Sequence, residues 1–422
     1  MTEQRITSAL GLVRQPGLIL QYIGSASSQL IVLAAQLITF ALLARHLGET
    51  QFGKLMTITA TTQIAVSLCG VGSEEPMIRR LVRDRSCYPS LLGHCLLLIT
   101  SSGLVLGAIS VLILYASMQP PMFTTLVIFA VSNILLFRYI YLTEAIFIGR
   151  LEYMRANKLV VTFAIARLVI ASIATLLFKV DNLQTWAFWH GATYVVTVLG
   201  CAALLRPLGA PRWTTMPDEV RRGIHVAIPF FLGNLRGNVD VLVLSFAVGP
   251  STVGNYGAAS RIVQASQVTL WAFNRIMYPK LVAGAAEGHQ TLLELAFQQA
   301  FVMTAIGGVT SIGLYIISPY AAAAFGEGFV SMAGYLRILC WIVLLVGIQS
   351  VAFDALAALE RHALRASIAN ICSVVGVGLV AALTFSFGIA GTFVAIFVTL
   401  TVSLASMWLA LLHVTNRLPF KL

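Results

Sequence analysis

Charged side chains lie inside two consecutive apolar stretches in the middle of the chain. The first stretch begins at Ile224 and is long enough to cross a bilayer, which takes about 20 residues. It contains Arg236 and Asp240, which are four residues apart and therefore share one face of a helix. A charge at membrane depth costs at least ~2.5–3.5 kcal/mol, so such residues usually face a cavity or a partner.

The next predicted helix has a polar face of the same kind. It contains two arginines, Arg261 and Arg275, and the polar residues on the same side are Ser260, Gln264, Gln267 and Asn274. The guanidinium of arginine is planar and presents a fork of N–H donors that matches phosphate and carboxylate oxygens. Two consecutive spans with polar, cationic faces therefore predict a pathway for an anionic ligand.

Each of these charges also has a structural interpretation. Arg236 and Asp240 can form an ion pair with each other, and an acidic residue from another helix can pair with Arg261. Arg275 can lie near the cytoplasmic surface, where its side chain would extend to the headgroups. The sequence alone leaves both interpretations open.

The first two predicted helices are polar as well. Gln36 shares a face of the first helix with Thr39, and the second helix contains Gln63 among several threonines. We expect these two helices and the two described above to line a central cavity; the alternative is that their polar groups bond across tightly packed helices. Asp240, together with Glu144 and Asp354 at depth in other spans, is a candidate for ion coupling or for an ion pair.

The sequence contains no pattern typical of a metal or catalytic site. The six cysteines and seven histidines are scattered, without CxxC, Cys/His or HExxH spacing. A P-loop, a glycine-rich nucleotide fingerprint and a nucleophile elbow are also missing from the sequence. We therefore predict no enzymatic activity, no catalytic residue, no metal and no cofactor, and we leave coupling to a proton or a sodium ion open.

The composition places these helices in a membrane. Of the 422 residues, 58% are hydrophobic and only 10% are charged, and the mean hydropathy is +0.88. Soluble domains are about a quarter charged, so this composition is typical of a multi-span membrane protein. Because backbone polar groups in lipid must be satisfied within the chain, the repeated apolar runs predict helices. The predicted fold class is an all-α membrane protein with twelve transmembrane helices.

The positions of lysine and arginine predict the orientation. The net charge of +11 does not indicate a nucleic-acid partner, because membrane proteins concentrate lysine and arginine in their cytoplasmic loops. With a cytoplasmic N-terminus, most basic residues fall inside, and the outside turns hold only Arg45, Lys54, Lys179 and Arg337. We therefore expect both termini in the cytoplasm.

A polar break with three prolines divides the chain near its midpoint. It predicts an N-terminal six-helix lobe over 1–205, a cytoplasmic linker over 206–223 and a C-terminal six-helix lobe over 224–422. The two lobes resemble each other at a constant offset of 201 positions. The matched pairs are Gly48 with Gly249, Gly53 with Gly254, and Gln63 with Gln264. Since six crossings return the chain to the same side, we expect a pseudo-two-fold axis along the membrane normal.

Taken together, the sequence resembles the Wzx-type polysaccharide transporters of the multidrug/oligosaccharidyl-lipid/polysaccharide (MOP) exporter superfamily. The segments that carry the resemblance are ARHLGETQFGKL, the helix from Pro229 to Asp240, VGPSTVGNYGAASR and TFSFGIAGTFVAI. Members of this family move undecaprenyl-pyrophosphate-linked oligosaccharides from the cytoplasmic to the outer leaflet of the bacterial inner membrane.

The resemblance implies a MATE-like fold, with two lobes around a central cavity, and a flippase for repeat units of O-antigen, capsule or exopolysaccharide. Further partners would be a polysaccharide polymerase and a chain-length regulator. A pyrophosphate needs fixed cations, and a sugar headgroup needs polar walls. The candidate contacts are Arg261, Arg236, Arg275, Gln63, Gln264, Gln36, Gln267 and Asn274.

Three other classes of protein are compatible with the hydropathy. A multidrug extruder of the same superfamily would share the fold, but a cavity for cations should be acidic and aromatic, whereas basic residues outnumber acidic ones at depth here. A membrane enzyme such as an oligosaccharide polymerase or ligase needs a large outward loop, which the sequence lacks. A passive scaffold would not need polar faces on four helices.

Overall fold

The computed structural model describes residues 16–118 and 122–417, and the side chains of residues 27–118 and 122–415. The predicted cytoplasmic tails, with Arg5 and Arg14 at one end and Lys421 at the other, lie outside the described residues. The described part of the chain is helical and contains no strand. This agrees with the all-α prediction and with the requirement that a chain in lipid satisfies its own backbone hydrogen bonds.

The helices before the midpoint, in chain order, are α1 (Pro16–Val66), α2 (Glu74–Arg83), α3 (Tyr88–Ser117), α4 (Phe123–Ala130), α5 (Phe137–Gly149), α6 (Tyr153–Ser172) and α7 (Leu183–Leu205). The later helices are α8 (Pro217–Ala247), α9 (Pro250–Ser266), α10 (Val268–Glu287), α11 (His289–Phe325), α12 (Val330–Leu339), α13 (Trp341–Ala358) and α14 (His362–Arg417). Short π-helical turns, Val131–Leu136 and Ile173–Leu177, follow α4 and α6.

Within the described ranges, nine helices are long and apolar enough to cross a membrane. Two of them bend at a glycine with positive φ: α1 at Gly48 (φ 71°) and α14 at Gly388 (φ 60°). The predicted helix that carries both Arg261 and Arg275 consists of two helices, α9 and α10, which meet at Gln267. To reach twelve crossings, each of the two bent helices must cross the membrane twice, and α9 together with α10 must cross it once. The number of twelve transmembrane helices therefore stays a prediction.

The described residues form two compact units whose boundaries differ from the predicted ones. The first unit contains the described residues up to His46 together with Ala65–Ile228, and the second contains Leu47–Ile64 together with the described residues from Pro229 onward. The segment Leu47–Ile64 therefore packs with helices that follow it by some 200 positions in the sequence. Whether the chain also forms two similar six-helix lobes over 1–205 and 224–422 stays a prediction.

Contacts between glycines explain why Leu47–Ile64 belongs to the second unit. A Cβ atom on Gly53 would lie 1.8 Å from the carbonyl oxygen of Pro250, and one on Gly254 would lie 2.2 Å from that of Glu49. Such distances leave room only for a hydrogen atom at each glycine. The two glycines therefore let the C-terminal segment of α1, Leu47–Ile64, approach α9 with direct contact between the backbones. The Asn255 side chain completes the contact by donating to Glu49 Oε2 at 2.9 Å.

The predicted linker over 206–223 is not a free connection. Its first part packs on α3 in the first unit: the Arg212 N–H donates to the Pro89 carbonyl at 2.8 Å, and the Met216 N–H donates to His94 Nδ1 at 3.2 Å. Its second part is helical, because α8 already begins at Pro217. Proline is favoured at the first position of a helix, so Pro217, the last of the three prolines, marks the start of α8.

We expect the two halves to superpose by rotation about the membrane normal, with Gly48 on Gly249 and Gln63 on Gln264. In the structure Gly48 and Gly249 each directly precede a helical segment that carries the corresponding glutamine, although their backbones differ, with φ of 71° and −68°. An experimental structure provides the measurement. If these pairs fall on non-equivalent helices after superposition, the internal repeat is wrong.

Candidate functional site

A cavity of about 650 Å³ lies in the second unit. Its walls are formed by the C-terminal segment of α1, by α8, α9 and α10, by the end of α12, and by α13 and α14. We call it the arginine cavity, because Arg236 from α8 and Arg261 from α9 both line it. Pockets for small ligands measure about 300–1,000 Å³, so this cavity is large enough for a substantial headgroup.

The structure brings six of the eleven predicted site residues together in this cavity. They are Arg236, Asp240, Arg261, Gln264, Gln267 and Gln63. Gln63 comes from α1, about 200 positions away in sequence from Gln264 and Gln267. The prediction that the polar faces of these helices line a cavity therefore fits this part of the structure, whereas a role of these residues in binding stays a prediction.

Arg261 is held in position by its own helix. Its Nη1 donates to Gln264 Oε1 at 3.0 Å, and Gln264 Nε2 in turn approaches Ser260 Oγ at 3.4 Å. Residues three and four apart on a helix are neighbours, so this chain of contacts follows directly from the sequence spacing. It fixes the guanidinium in the cavity wall.

Asp240 does not pair with Arg236. Among the ion pairs between described residues, none includes either of them. The hydroxyl of Tyr256 from α9 donates to Asp240 Oδ2 instead, and the Val241 N–H donates to Oδ1 at 2.8 Å. Arg261 is close enough to attract this carboxylate electrostatically. The alternative of an Arg236–Asp240 ion pair is therefore not realised in this structure.

Arg236 is accordingly the more available of the two cavity arginines. Its side chain is only partly buried, and within the described residues it has no hydrogen bond and no ion pair. A guanidinium in a membrane-spanning helix that lacks such partners is costly unless water or an anion satisfies it. This arrangement is chemically suited to an anionic group that enters the cavity.

The other predicted site residues lie outside the lining of the arginine cavity. Arg275 is exposed, and Asn274 Oδ1 accepts a hydrogen bond from Gln299 Nε2 at 3.2 Å. Both residues belong to α10, beyond the turn at Gln267 where α9 ends. Gln36 is partly buried in the first unit.

The two remaining acidic candidates are also separate from this cavity. Glu144 lies in α5 of the first unit, is partly buried, and makes no hydrogen bond or ion pair with any residue the structure describes. Asp354 lies near the end of α13, and its electrostatic neighbour is Arg365. Arg365 itself lies over the Phe353 ring, 4.2 Å from its centre. A role in ion coupling stays a prediction for both.

Sequence reasoning missed four polar residues of the cavity, one of which is Thr399 from α14. Asn234 and Asn238 line it from α8, and Tyr256 lines it from α9. The two asparagines donate to the carbonyls four residues earlier, Phe230 and Asn234, both at 2.9 Å. The two asparagines are four residues apart in GNLRGNVD, so the sequence already indicated that they share a face of the helix that carries Arg236. The contact of Tyr256 with Asp240, in contrast, has no signature in the sequence.

A model of the family described as polysaccharide biosynthesis protein matches residues 22–283, which is more than half of the chain. The chain belongs to this family. The matched region contains both arginines of the cavity and Asp240. No curated protein sequence matches the chain significantly.

Solved structures of the MOP superfamily share the fold of this family member. An inward-facing multidrug resistance MATE transporter is 16% identical, with 90% of this chain and 94% of that chain covered and a TM-score of 0.70. The lipid II flippase MurJ in an inward closed conformation is 12% identical, with 93% and 87% covered and a TM-score of 0.69. An outward-facing MATE transporter is 16% identical, with 94% and 95% covered and a TM-score of 0.59. The protein is thus a multi-pass membrane protein with the MOP fold.

Proposed function

We propose that the protein is a flippase for undecaprenyl-pyrophosphate-linked oligosaccharides, the repeat units of O-antigen, capsule or exopolysaccharide. It would move them across the bacterial inner membrane by alternating access. The observation that carries this proposal is the arginine cavity, in which Arg236 and Arg261 come from two consecutive helices of a polysaccharide biosynthesis protein.

The chemistry of the cavity suits a sugar pyrophosphate. Phosphate oxygens accept bidentate hydrogen bonds from guanidinium groups, and charge-assisted bonds of this kind are about twice as strong as neutral ones. Arg261 is oriented by Gln264, so part of the entropy cost of fixing its side chain is already met. The amides of Gln63, Asn234 and Asn238 offer donors and acceptors to sugar hydroxyls.

One observation favours a second candidate, a multidrug extruder. The same cavity contains a carboxylate, Asp240, and three aromatic residues, Phe230, Tyr256 and Trp271, which are the groups that attract organic cations. However, both oxygens of Asp240 already accept hydrogen bonds, and two arginines line the cavity with it. The excess of positive charge supports an anionic substrate.

Transport by the purified full-length protein tests the proposal. We expect proteoliposomes to expose an undecaprenyl-pyrophosphate-linked sugar, labelled on its glycan with a dithionite-reducible fluorophore, more completely than protein-free liposomes do. The fluorophore of an unflipped lipid stays protected in the inner leaflet, so the additional quenching measures translocation. Transport of cationic dyes without translocation of the glycan lipid would favour the extruder.

The proposal includes an orientation: both termini and the 206–216 segment in the cytoplasm, with residue 249 outside. The polymerase, the chain-length regulator and a coupling proton or sodium ion belong to the same proposal. Of the six cysteines, only Cys87 is partly exposed, so replacing Cys87 removes the main background for labelling. We then expect Gly249→Cys, but not Ala210→Cys, to react with a membrane-impermeant maleimide.

Both introduced cysteines are at exposed positions, so a lack of reaction reports the side of the membrane. In opened cells Ala210→Cys should react as fast as Gly249→Cys, which is the positive control. Fast labelling of Ala210→Cys from outside would reverse the proposed orientation, because a cytoplasmic segment is separated from the reagent by the bilayer.

A further inference from the structure

A second cavity, of about 340 Å³, adjoins the arginine cavity within the second unit. Its polar side chains other than Arg236 are Gln349 and Ser350 from α13 and Asn370 and Ser373 from α14. We call it the amide cavity. Arg236 lines both cavities, so the two meet at its side chain.

Several polar atoms of the amide cavity have unused hydrogen-bonding capacity. Asn370, like Arg236, makes no side-chain hydrogen bond with any residue that the structure describes. Gln349 Nε2 donates to Ser403 Oγ at 2.6 Å, which leaves the Gln349 carbonyl oxygen for another donor. The hydroxyls of Ser350 and Ser373 donate to Gly347 and Ala369 carbonyls, both at 2.7 Å, and keep their acceptor lone pairs.

This set of groups selects a class of ligand. Arg236 and the Asn370 amide supply donors, whereas Gln349, Ser350 and Ser373 supply acceptors. A hydroxyl group both donates and accepts hydrogen bonds, so a polyol can satisfy the donors and the acceptors of the cavity. An anion would leave the acceptors unpaired. No carboxylate is among the residues that line the cavity, and Arg236 would repel a cation.

The size of the cavity limits the ligand to a small group. Its volume is at the lower end of the range for ligand pockets, about 300–1,000 Å³, and is about half that of the arginine cavity. Pro229, Phe353 and Met407 complete the wall and offer apolar surface to the C–H faces of a ring. One sugar ring therefore fits the chemistry, while further sugars of the same substrate would extend into the arginine cavity.

We infer that the amide cavity binds the sugar that is attached directly to the pyrophosphate. This inference rests on the proposed function, in which Arg261 and Arg236 hold the pyrophosphate. Since Arg236 lies where the cavities meet, it contacts a phosphate oxygen on one side and the first sugar on the other. Asn370 and Ser350 then determine which sugar is accepted, because a site that bonds a hydroxyl rejects an analogue without it.

The test compares binding of lipids with and without the first sugar. The full-length protein in nanodiscs is titrated with undecaprenyl pyrophosphate and with the same lipid carrying glucose, galactose or N-acetylglucosamine. We expect at least one of the sugars to tighten binding. In Asn370→Leu and Ser350→Leu this gain should fall about 3- to 10-fold, the effect of one or two neutral hydrogen bonds, with unchanged affinity for the bare lipid.

Gln298→Leu is the matched control. It replaces an exposed amide with leucine on α11, a spanning helix of the same unit, at a position that lines neither cavity. It should bind all four lipids as the wild type does. Melting temperature and size-exclusion profile establish that each variant is folded, and Asn370→Ser replaces Asn370→Leu if the latter aggregates.

The outcomes separate this inference from the proposed function. If the bare lipid pyrophosphate binds but no sugar tightens binding, or if both variants keep the full gain, the inference is wrong and the proposed function stands. If the wild type binds none of the four lipids, the proposed function fails and the inference fails with it.

Discussion

Arg261→Ala should weaken binding of undecaprenyl pyrophosphate by about one to two powers of ten, at normal protein abundance. The physical reason is the loss of a charge-assisted contact worth roughly 1.5–3 kcal/mol. Arg261→Lys keeps the charge but loses the forked N–H donors of the guanidinium and the fixed contact with Gln264. The affinity of this variant should therefore lie between those of the wild type and Arg261→Ala. Titration of the purified variants in nanodiscs, together with surface polysaccharide in cells, provides the measurement.

Arg275→Ala is the matched control for this substitution. It removes the same side chain from the neighbouring helix α10, but Arg275 is exposed and outside the lining of the arginine cavity. Because Arg275 does not line the cavity, its loss should change the affinity for the lipid by no more than a factor of about three. A tenfold change would correspond to about 1.4 kcal/mol. Equal losses in both variants would indicate a general effect of positive charge rather than a binding site.

A structural role of Arg261 predicts a different pattern. In that account Arg261 stabilises the protein by its attraction to Asp240, the acidic residue that acts on it electrostatically. Asp240→Asn should then reduce abundance as much as Arg261→Ala does. If both variants lose export only because the protein disappears from the membrane, or if Arg261→Ala exports normally at normal abundance, Arg261 does not bind the pyrophosphate.

Glu74→Leu should lower the free energy of unfolding of the first unit by about 3–5 kcal/mol, the cost of leaving one partner of a buried ion pair unpaired. Glu74, in the first turn of α2, contacts Arg138 of α5 twice: Nε lies 2.6 Å from Oε1, and Nη2 lies 2.6 Å from Oε2. The two side chains are only 4% and 7% exposed. Without the carboxylate, the Arg138 charge stays buried among apolar residues.

Two further variants test this explanation by denaturant unfolding in detergent. The double variant Glu74→Leu with Arg138→Met removes both charges and should recover most of the lost stability, because a buried ion pair contributes little beyond an apolar pair of similar volume. Glu75→Ala breaks the neighbouring pair with Arg79, whose side chains are 47% and 72% exposed, and should cost less than about 1 kcal/mol. If Glu74→Leu is as mild as Glu75→Ala, the buried pair does not stabilise the fold.

Much of the architecture could be predicted because the bilayer restricts the choices of the chain. Long apolar runs in lipid can only be helices, so composition and hydropathy were enough for the fold class. Local spacing was equally informative: Arg261 and Gln264 are three apart on one helix, and the predicted proximity became a hydrogen bond. The bend of α14 at Gly388 likewise has a local cause, a glycine that adopts positive φ.

Spacing within a helix did not determine which partner a side chain chooses. Arg236 and Asp240 have ideal spacing for an ion pair, yet Tyr256 of another helix bonds the carboxylate. The buried partner of Arg138 is Glu74, 64 positions away. A spacing of four only brings two side chains within reach, whereas the rotation of each helix and the competing groups on its neighbours decide the contact, and these depend on packing.

Only the tertiary structure decided which polar faces meet. Gln63 reaches the arginine cavity because Gly53 and Gly254 allow backbone contact between α1 and α9, a shape effect that no charge or hydropathy pattern records. Arg275, fourteen residues beyond Arg261 and past the turn at Gln267 that separates α9 from α10, is not part of the cavity lining. The sequence determined which residues are polar at membrane depth; close packing between distant helices determined which of them share a cavity.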